Sequence, residues 1–447
     1  MDVNKSWPSW SRIHIANANI PADLLGDRSV ADVGVDGLCK VDLIVDDGKI
    51  ADVVAAGAPS AGPVYDVDAG IVLPPFADLH THLDKGQIWP RARNHDGTLE
   101  TARAQTRADT IANWRSEDVE ARFEFSLRCA YANGSNAIRT HIDCLVPGQA
   151  NISFGVFRRL REKWAGRITL QAVALVSTDL YDTPENAAVV DIVAESGGRL
   201  GGITFRLSEL DDPRVLDARL DRLFALASAR GLDVDLHVDE NGSASSNTLA
   251  QIAQAVLRNS FQGQVVCGHC CSLAVQDEAV VSRTIDAVKE AGIKIVSLPL
   301  VNQYLQGRIS NETPRWRGIP LLRELLAAGV PVSLASDNCR DAYHAFGDMD
   351  LLDVFGGAVR IGHLEGNMGS WSAAITKTPA SIIDAPGRGM IKSGVPADFQ
   401  IFSGRTFSEL LTRHAPNRVV VRGGRAIAER LPDFRELDHL MKAGAAR

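Results

Sequence analysis

At 447 residues the chain is long enough for one large domain and a smaller one. With 45% hydrophobic and 23% charged residues it has the balance of an ordinary globular protein, and a net charge of −8 excludes a nucleic-acid backbone as the main partner. No apolar run reaches bilayer length and the first residues lack a secretory signal pattern, while the seven cysteines are scattered and odd in number. These features predict reduced thiols, no membrane association and a cytoplasmic location.

Residues 11–70 read as β structure. Segments 12–16, 41–45 and 50–54 are short β-branched runs, and Asp46-Asp47-Gly48 between two of them is a hairpin turn. Segments 398–402 and 418–422 have the same texture, and Gly423-Gly424-Arg425 is a turn. Strands at opposite ends of a chain can pair, because domain termini often lie close together. Residues 1–70 and 386–447 are therefore expected to form one small β-sandwich domain.

Between them, residues 71–385 alternate strand and helix. Eight strands are predicted, at 71–73 running on toward His80, 137–142, 168–174, 202–205, 234–237, 264–269, 294–298 and 332–335. Helical patterns at 215–229, 247–259 and 275–291 lie between them, the last ending at Gly292. Such alternation implies a parallel sheet, and eight units suggest a (β/α)8 TIM-like barrel. A doubly wound open sheet is the structural alternative. No Gly-x-Gly-x-x-Gly or Walker loop is present, which removes the usual functional reason for it.

Catalytic groups of such barrels sit at the C-terminal ends of the strands. Strand 1 ends at His80-Thr81-His82, strand 2 in Arg139-Thr140-His141-Ile142-Asp143, and strand 5 at His237-Val238-Asp239-Glu240. Strand 6 ends at His269 and strand 8 at Ser336-Asp337-Asn338. Strand 7 runs into a loop containing Asn302, Gln306 and Arg308. The other six histidines (14, 95, 344, 363, 414 and 439) fall elsewhere and read as surface or capping residues. His80, His82 and His237 offer three imidazoles and Asp337 a carboxylate, leaving a position open for water. That donor set suits one divalent ion, Zn²⁺ or Fe²⁺. Strand 4 has no lysine to bridge a second metal. Cys267, Cys270 and Cys271 cluster, but without a fourth ligand they read as buried thiols beside a strand.

These residues, in this order, resemble the amidohydrolase superfamily and, within it, the cytosine deaminase-like branch. The likeness is carried by Pro74-Pro-Phe-Ala-Asp-Leu-His-Thr-His-Leu-Asp-Lys85, Arg139-Thr-His-Ile-Asp143, His237-Val-Asp-Glu240, His269, Leu300-Val-Asn-Gln-Tyr-Leu-Gln-Gly-Arg308 and Ser336-Asp-Asn338, together with the flanking β segments. The resemblance implies a hydrolytic deaminase of a nitrogen heterocycle. It implies His80, His82, His237 and Asp337 as metal ligands, Glu240 as proton shuttle, and His269 as a hydrogen-bond partner near the metal. It also implies a homo-oligomer.

Two departures bear on the substrate. A glutamine that follows strand 3 in cytosine deaminases is replaced here by Ser177, whose smaller side chain predicts room for a different ring, pterin-like or isocytosine-like. Asn338 stands where cytosine deaminases carry a second aspartate. The run from Ser336 to Asp341 resembles instead the branch that removes alkylamines from triazine rings, although that branch lacks a counterpart of Glu240. Asn302, Gln306 and Trp316 are the candidates to recognise and stack on the ring, with Ser177 and Asn338. The competing expectations are release of a substituted amine from a triazine-like ring, or a catalytically dead scaffold. All four ligand residues are present, which counts against the scaffold.

Overall fold

The computed structural model describes residues 7–8, 11–60, 62–182, 184–204, 212–385, 388–413 and 417–441. Strands β1 (Arg12–Pro21), β2 (Leu38–Asp46), β3 (Lys49–Ala55) and β4 (Val64–Asp66) form a sheet in the order β3-β2-β1-β4. Asp47 and Gly48 take the positive φ angles the hairpin between β2 and β3 requires. A second four-stranded sheet joins β5 (Val72–Leu73) to three strands from the far end of the chain. Residues from both sheets share one core: Ile13, Ile15, Val41 and Leu43 cluster with Phe399, Ile401 and Val421, all buried. Strands from the two chain ends thus build the sandwich that their short β-branched runs predicted.

The barrel uses β6 (Phe76–Thr81), β7 (Ser135–Asp143), β8 (Thr169–Leu175), β9 (Arg199–Ile203), β10 (Val234–Val238), β11 (Val265–His269), β12 (Lys294–Ser297) and β13 (Val332–Leu334). They form one sheet in sequential order. A parallel bridge from Thr81 to Asp337 connects its first strand to the end of its last. Asp337 N donates to His80 O and Thr81 Oγ1 donates to Asp337 O, each at 2.8 Å. Closure therefore runs through the residues expected to bind metal.

The first predicted strand is corrected. Val72 and Leu73 do not run on toward His80; they pair with Ile401 and Gln400 in the sandwich, and the barrel strand begins afresh at Phe76. Pro74 and Pro75 between them have no N–H to give to a ladder, so the chain must break pairing there. The predicted helices run Pro213–Arg230, Thr248–Arg258 and Glu278–Glu290. The first begins on an Asp212 cap and ends at Gly231 in the left-handed conformation. Phe205, in the fourth predicted strand, lies outside the described residues, as does His414. His14 is no surface residue: it is buried, with Nε2 2.9 Å from Asp42 Oδ2.

By compactness the chain divides into two units, residues 1–79, 128–137 and 350–431 in one and 80–127, 138–349 and 432–447 in the other. Domain limits at 1–70 plus 386–447 and at 71–385 remain our proposal.

Candidate active site

Side chains two apart on a strand share a side, and this places the polar groups of the barrel on its axis. Arg139, His141 and Asp143 fall at alternate positions of β7, as do Asp235 and His237 of β10. Arg139 Nη1 lies 2.8 Å from Asp235 Oδ2 and its Nε 3.0 Å from Gln171 Oε1, all buried. The next inward position above Asp235 is His237.

His80, His82, His237 and Asp337 converge there, each at most 5% exposed. His82 Nδ1 donates to the carbonyl of His141 at 3.1 Å, which leaves a lone pair on Nε2. That Nε2 lies 3.3 Å from His237 Nε2 and 3.1 Å from Asp337 Oδ1. His80 Nε2 is 3.7 Å from the same oxygen. Burial pushes the pKa of all three histidines well below the ordinary value, so the rings are neutral. Neither oxygen of Asp337 receives a hydrogen bond among the described residues. Lone pairs of buried neutral imidazoles facing a buried carboxylate repel unless a cation lies among them, so the donor set fits a divalent metal.

Two further groupings with His80 meet metal-ligand spacing. In one, Asp235 is already paired with Arg139. In the other, His269 Nδ1 accepts from Asn302 Nδ2 at 2.9 Å, so its ring proton sits on Nε2. Burial lowers the His269 pKa to about 4, keeping that ring neutral as well. It is built to donate rather than to ligate.

Glu240 lies 3.6 Å from His269 through Oε1. Burial and the Asp337 charge push its carboxyl up to about 8, against the opposing pull of Arg103 and Lys85. The loop that carries it is pinned from both sides. The Asp239 carboxylate accepts from Ser246 Oγ, Thr248 N, Thr248 Oγ1 and Leu249 N, and Gln306 Nε2 donates to Glu240 O at 3.2 Å. Asp239, His269 and Asp337 all adopt positive φ (47°, 71° and 59°) without being glycine. Such backbone persists only where its surroundings over-determine it, and clusters at functional sites.

A cavity of about 320 Å³ opens on this cluster. His82, His237, His269, Glu240, Asp337 and Asn338 line it, so the structure brings most predicted residues together. Asn338 Nδ2 donates to Asp341 Oδ2 at 2.7 Å, which fixes its amide. Four predicted contacts fall outside the lining. Asn302 and Gln306 instead hydrogen-bond His269 and the Glu240 backbone. Ser177 is fully buried and bridged to Ile203, while Leu175 and Ile203 line the cavity. Trp316 packs on two glycines: a Cβ on Gly242 would lie 2.7 Å from its ring.

Sequence reasoning missed other lining residues. Leu99, Leu145, Leu175 and Ile203 form a small apolar cluster of their own and supply an apolar part of the lining. Lys85, Arg103, Arg107, Asp143 and Tyr343 add charge and polarity. Burial alone would lower the Lys85 pKa, but Tyr343, Asp341, Asp143 and Asp337 around it raise it. Lys85 closes the motif that starts at Pro74, a signal the sequence did offer. His344, expected at the surface, is buried with Nδ1 3.3 Å from Asn338 O.

Residues 171–430 match the model of the amidohydrolase family. A pterin deaminase of Rhizobium rhizogenes (strain K84) is 48% identical over 439 residues, covering 98% of each chain. An N-isopropylammelide isopropyl amidohydrolase of Pseudomonas sp. (strain ADP) is 24% identical over 88% of this chain and 95% of its own. Among solved structures, 5-methylcytosine deaminase from Klebsiella pneumoniae superimposes with a TM-score of 0.77 at 23% identity, over 94% of this chain and 98% of the other.

Proposed function

The chain belongs to the amidohydrolase family, and from that premise we propose that it is a hydrolytic deaminase of a pterin-like ring, releasing ammonia. The observation that carries this reading is near-full-length identity of 48% to a pterin deaminase, joined to a cavity in which metal-type donors, Glu240 and His269 face one space.

In this reading His80, His82, His237 and Asp337 hold one divalent ion, Zn²⁺ or Fe²⁺. When bound, such an ion lowers the pKa of water toward neutrality and makes hydroxide available as nucleophile. Asp337 takes up the proton that the attacking water gives away. Glu240, kept protonated by burial near neutral pH, donates to the ring nitrogen beside the attacked carbon and then helps ammonia depart. His269, its proton directed to Nε2 by Asn302, donates a hydrogen bond to the oxygen that becomes the product carbonyl. Leu99, Leu145, Leu175 and Ile203 cover a ring face and exclude water.

No helix among the described residues is long and apolar enough to cross a membrane, and all seven cysteines are buried free thiols. Both facts agree with the cytoplasmic location we propose. A homo-oligomer remains a proposal from the family resemblance.

The test is ammonia release from metal-loaded protein given pterin, isocytosine, cytosine, guanine and an N-alkylaminotriazine. Turnover of the pterin with the product absorbing as the dioxo ring is expected. Release of alkylamine from the triazine with no ammonia from any amino ring would overturn the reading in favour of the substituted-amine hydrolase.

A further inference from the structure

Of the five histidines at the strand ends, His141 alone has no part in the proposed reaction. It is fully buried and is not among the residues that line the cavity. It nevertheless meets two of the four proposed metal ligands, each in a different way. Its backbone carbonyl accepts the Nδ1 proton of His82 at 3.1 Å. Its ring stacks on the His80 ring, with centroids 3.8 Å apart and planes 27° apart.

His82 is thus oriented by a hydrogen bond, the common support of a metal-binding histidine. His80 is held by packing. Gly268 closes on its Cε1 and Nδ1 edge, where a Cβ would lie 2.9 Å from each, and His141 covers a face. A flat ring at stacking distance restricts the rotation of its neighbour, and a stacked aromatic pair gains more than its buried area alone provides. Burial pushes the His141 pKa well below its ordinary value, so a neutral ring and not a cation lies against His80. The nitrogens of His141 have a weaker claim to a role. Nε2 is 3.6 Å from Asp235 Oδ1, too long for a hydrogen bond, and the other oxygen of that carboxylate is taken by Arg139 at 2.8 Å.

We propose that His141 is a positioning residue for the metal site, its ring setting the rotation of His80 by stacking while its carbonyl sets that of His82. This rests on His80, His82, His237 and Asp337 being the metal donors. The two contributions are separable, because every substitution at position 141 keeps the carbonyl and only an aromatic one keeps the stack.

His141→Phe and His141→Leu both lose the nitrogens near Asp235 and differ in the ring. Zinc affinity of the full-length proteins is measured by chelator competition, and the cobalt-loaded proteins are compared by visible absorption, which reports ligand geometry. His141→Phe is expected to keep near-native affinity and the native cobalt spectrum. His141→Leu is expected to bind zinc about tenfold more weakly or worse, with a changed spectrum, the loss typical when support behind a metal-bound histidine is removed. Circular dichroism of the metal-free proteins checks folding, and His141→Gln serves as the variant without a ring if His141→Leu does not fold. Native affinity and spectrum without the ring would overturn the proposal while leaving the donor set standing. A His141→Phe protein as weak as His141→Leu would also overturn it, assigning the role to the ring nitrogens. Loss of one of two bound ions in His141→Phe would make His141 a ligand instead. Unsubstituted protein that binds neither zinc nor cobalt would overturn the donor set, and the role of His141 with it.

Discussion

Asn302 Nδ2 donates to His269 Nδ1 at 2.9 Å, and this one contact decides which nitrogen of the His269 ring carries the proton. Replacing Asn302 by Asp reverses the sense of the bond. A carboxylate accepts from Nδ1–H, and Nε2 is left with a lone pair. Such partners of site histidines typically matter by 10- to 100-fold, so Asn302→Asp is expected to lower kcat by roughly that factor. The fold and metal content should persist, because the hydrogen bond of Asn302 goes to His269, which is not one of the proposed ligands. Steady-state kinetics beside metal analysis decides it; unchanged kcat would remove His269 Nε2–H from the reaction.

Gly268 is the site's steric weak point. It faces His237 across β10 and β11, and a Cβ placed on it would lie 2.9 Å from both Cε1 and Nδ1 of His80. His80 packs at 0% exposure and its ring stacks on His141 with centroids 3.8 Å apart, so it has little space to yield. Gly268→Ala is expected to weaken metal retention by roughly 10-fold or more, within the range found for disturbed ligand support. Competition with a graded series of chelators measures it. Excess Zn²⁺ should restore part of the activity, and a variant with native metal affinity would show that the ring can shift at no cost.

The sequence made the barrel and its metal donors legible because strand ends concentrate the informative residues. Histidines are rare in this chain, and five of them stand at the C-terminal ends of strands, where the fold puts chemistry. Helix-borne contributors carry no such mark. Arg103 and Arg107 occupy an ordinary amphipathic helix and look like surface charge until the cavity shows which face they share. Ser177 and Trp316 have positions in the motif order that suggest substrate contact, and local packing is what the sequence does not show: Ser177 is buried and bridged to Ile203, and Trp316 packs against Gly242 and Gly307. The break at Pro74-Pro75 was readable from the missing N–H groups, but the apolar run on both sides concealed a change of sheet.

The layer beneath the proposed metal site invites a stability test. Arg139 and Asp235 are at most 1% exposed, and the pair is closed at 2.8 Å. Burial still pushes the Asp235 carboxyl up to about 6, with Arg139 holding it back from going higher. Removing one partner strands the other, which typically costs about 3–5 kcal/mol. Arg139→Leu should therefore lower unfolding free energy by roughly that amount in urea titrations of the metal-loaded protein. The double variant Arg139→Leu, Asp235→Leu should recover much of it, since a well-packed apolar pair can replace a buried ion pair. A double variant as unstable as the sum of its parts would mean that the layer acts through its hydrogen bonds to Gln171 instead.

In the proposed reaction Glu240 sets the alkaline limit. As the proton donor to the ring it must hold its proton, and burial beside Asp337 raises its carboxyl to about 8. The protonated form predominates below that pH and is lost above it. The expected profile of kcat/KM therefore falls on the alkaline side with a midpoint near 8, a limit an ordinary carboxylate would impose near pH 4. Glu240→Gln cannot ionise. It should keep metal and fold, lose on the order of 10²-fold or more in turnover, and show no alkaline fall from this group. Arg103 and Lys85 pull the same carboxyl downward, so Arg103→Gln should move the midpoint to higher pH. A falling limb that survives in Glu240→Gln would assign it to a different group and take Glu240 out of the donor role.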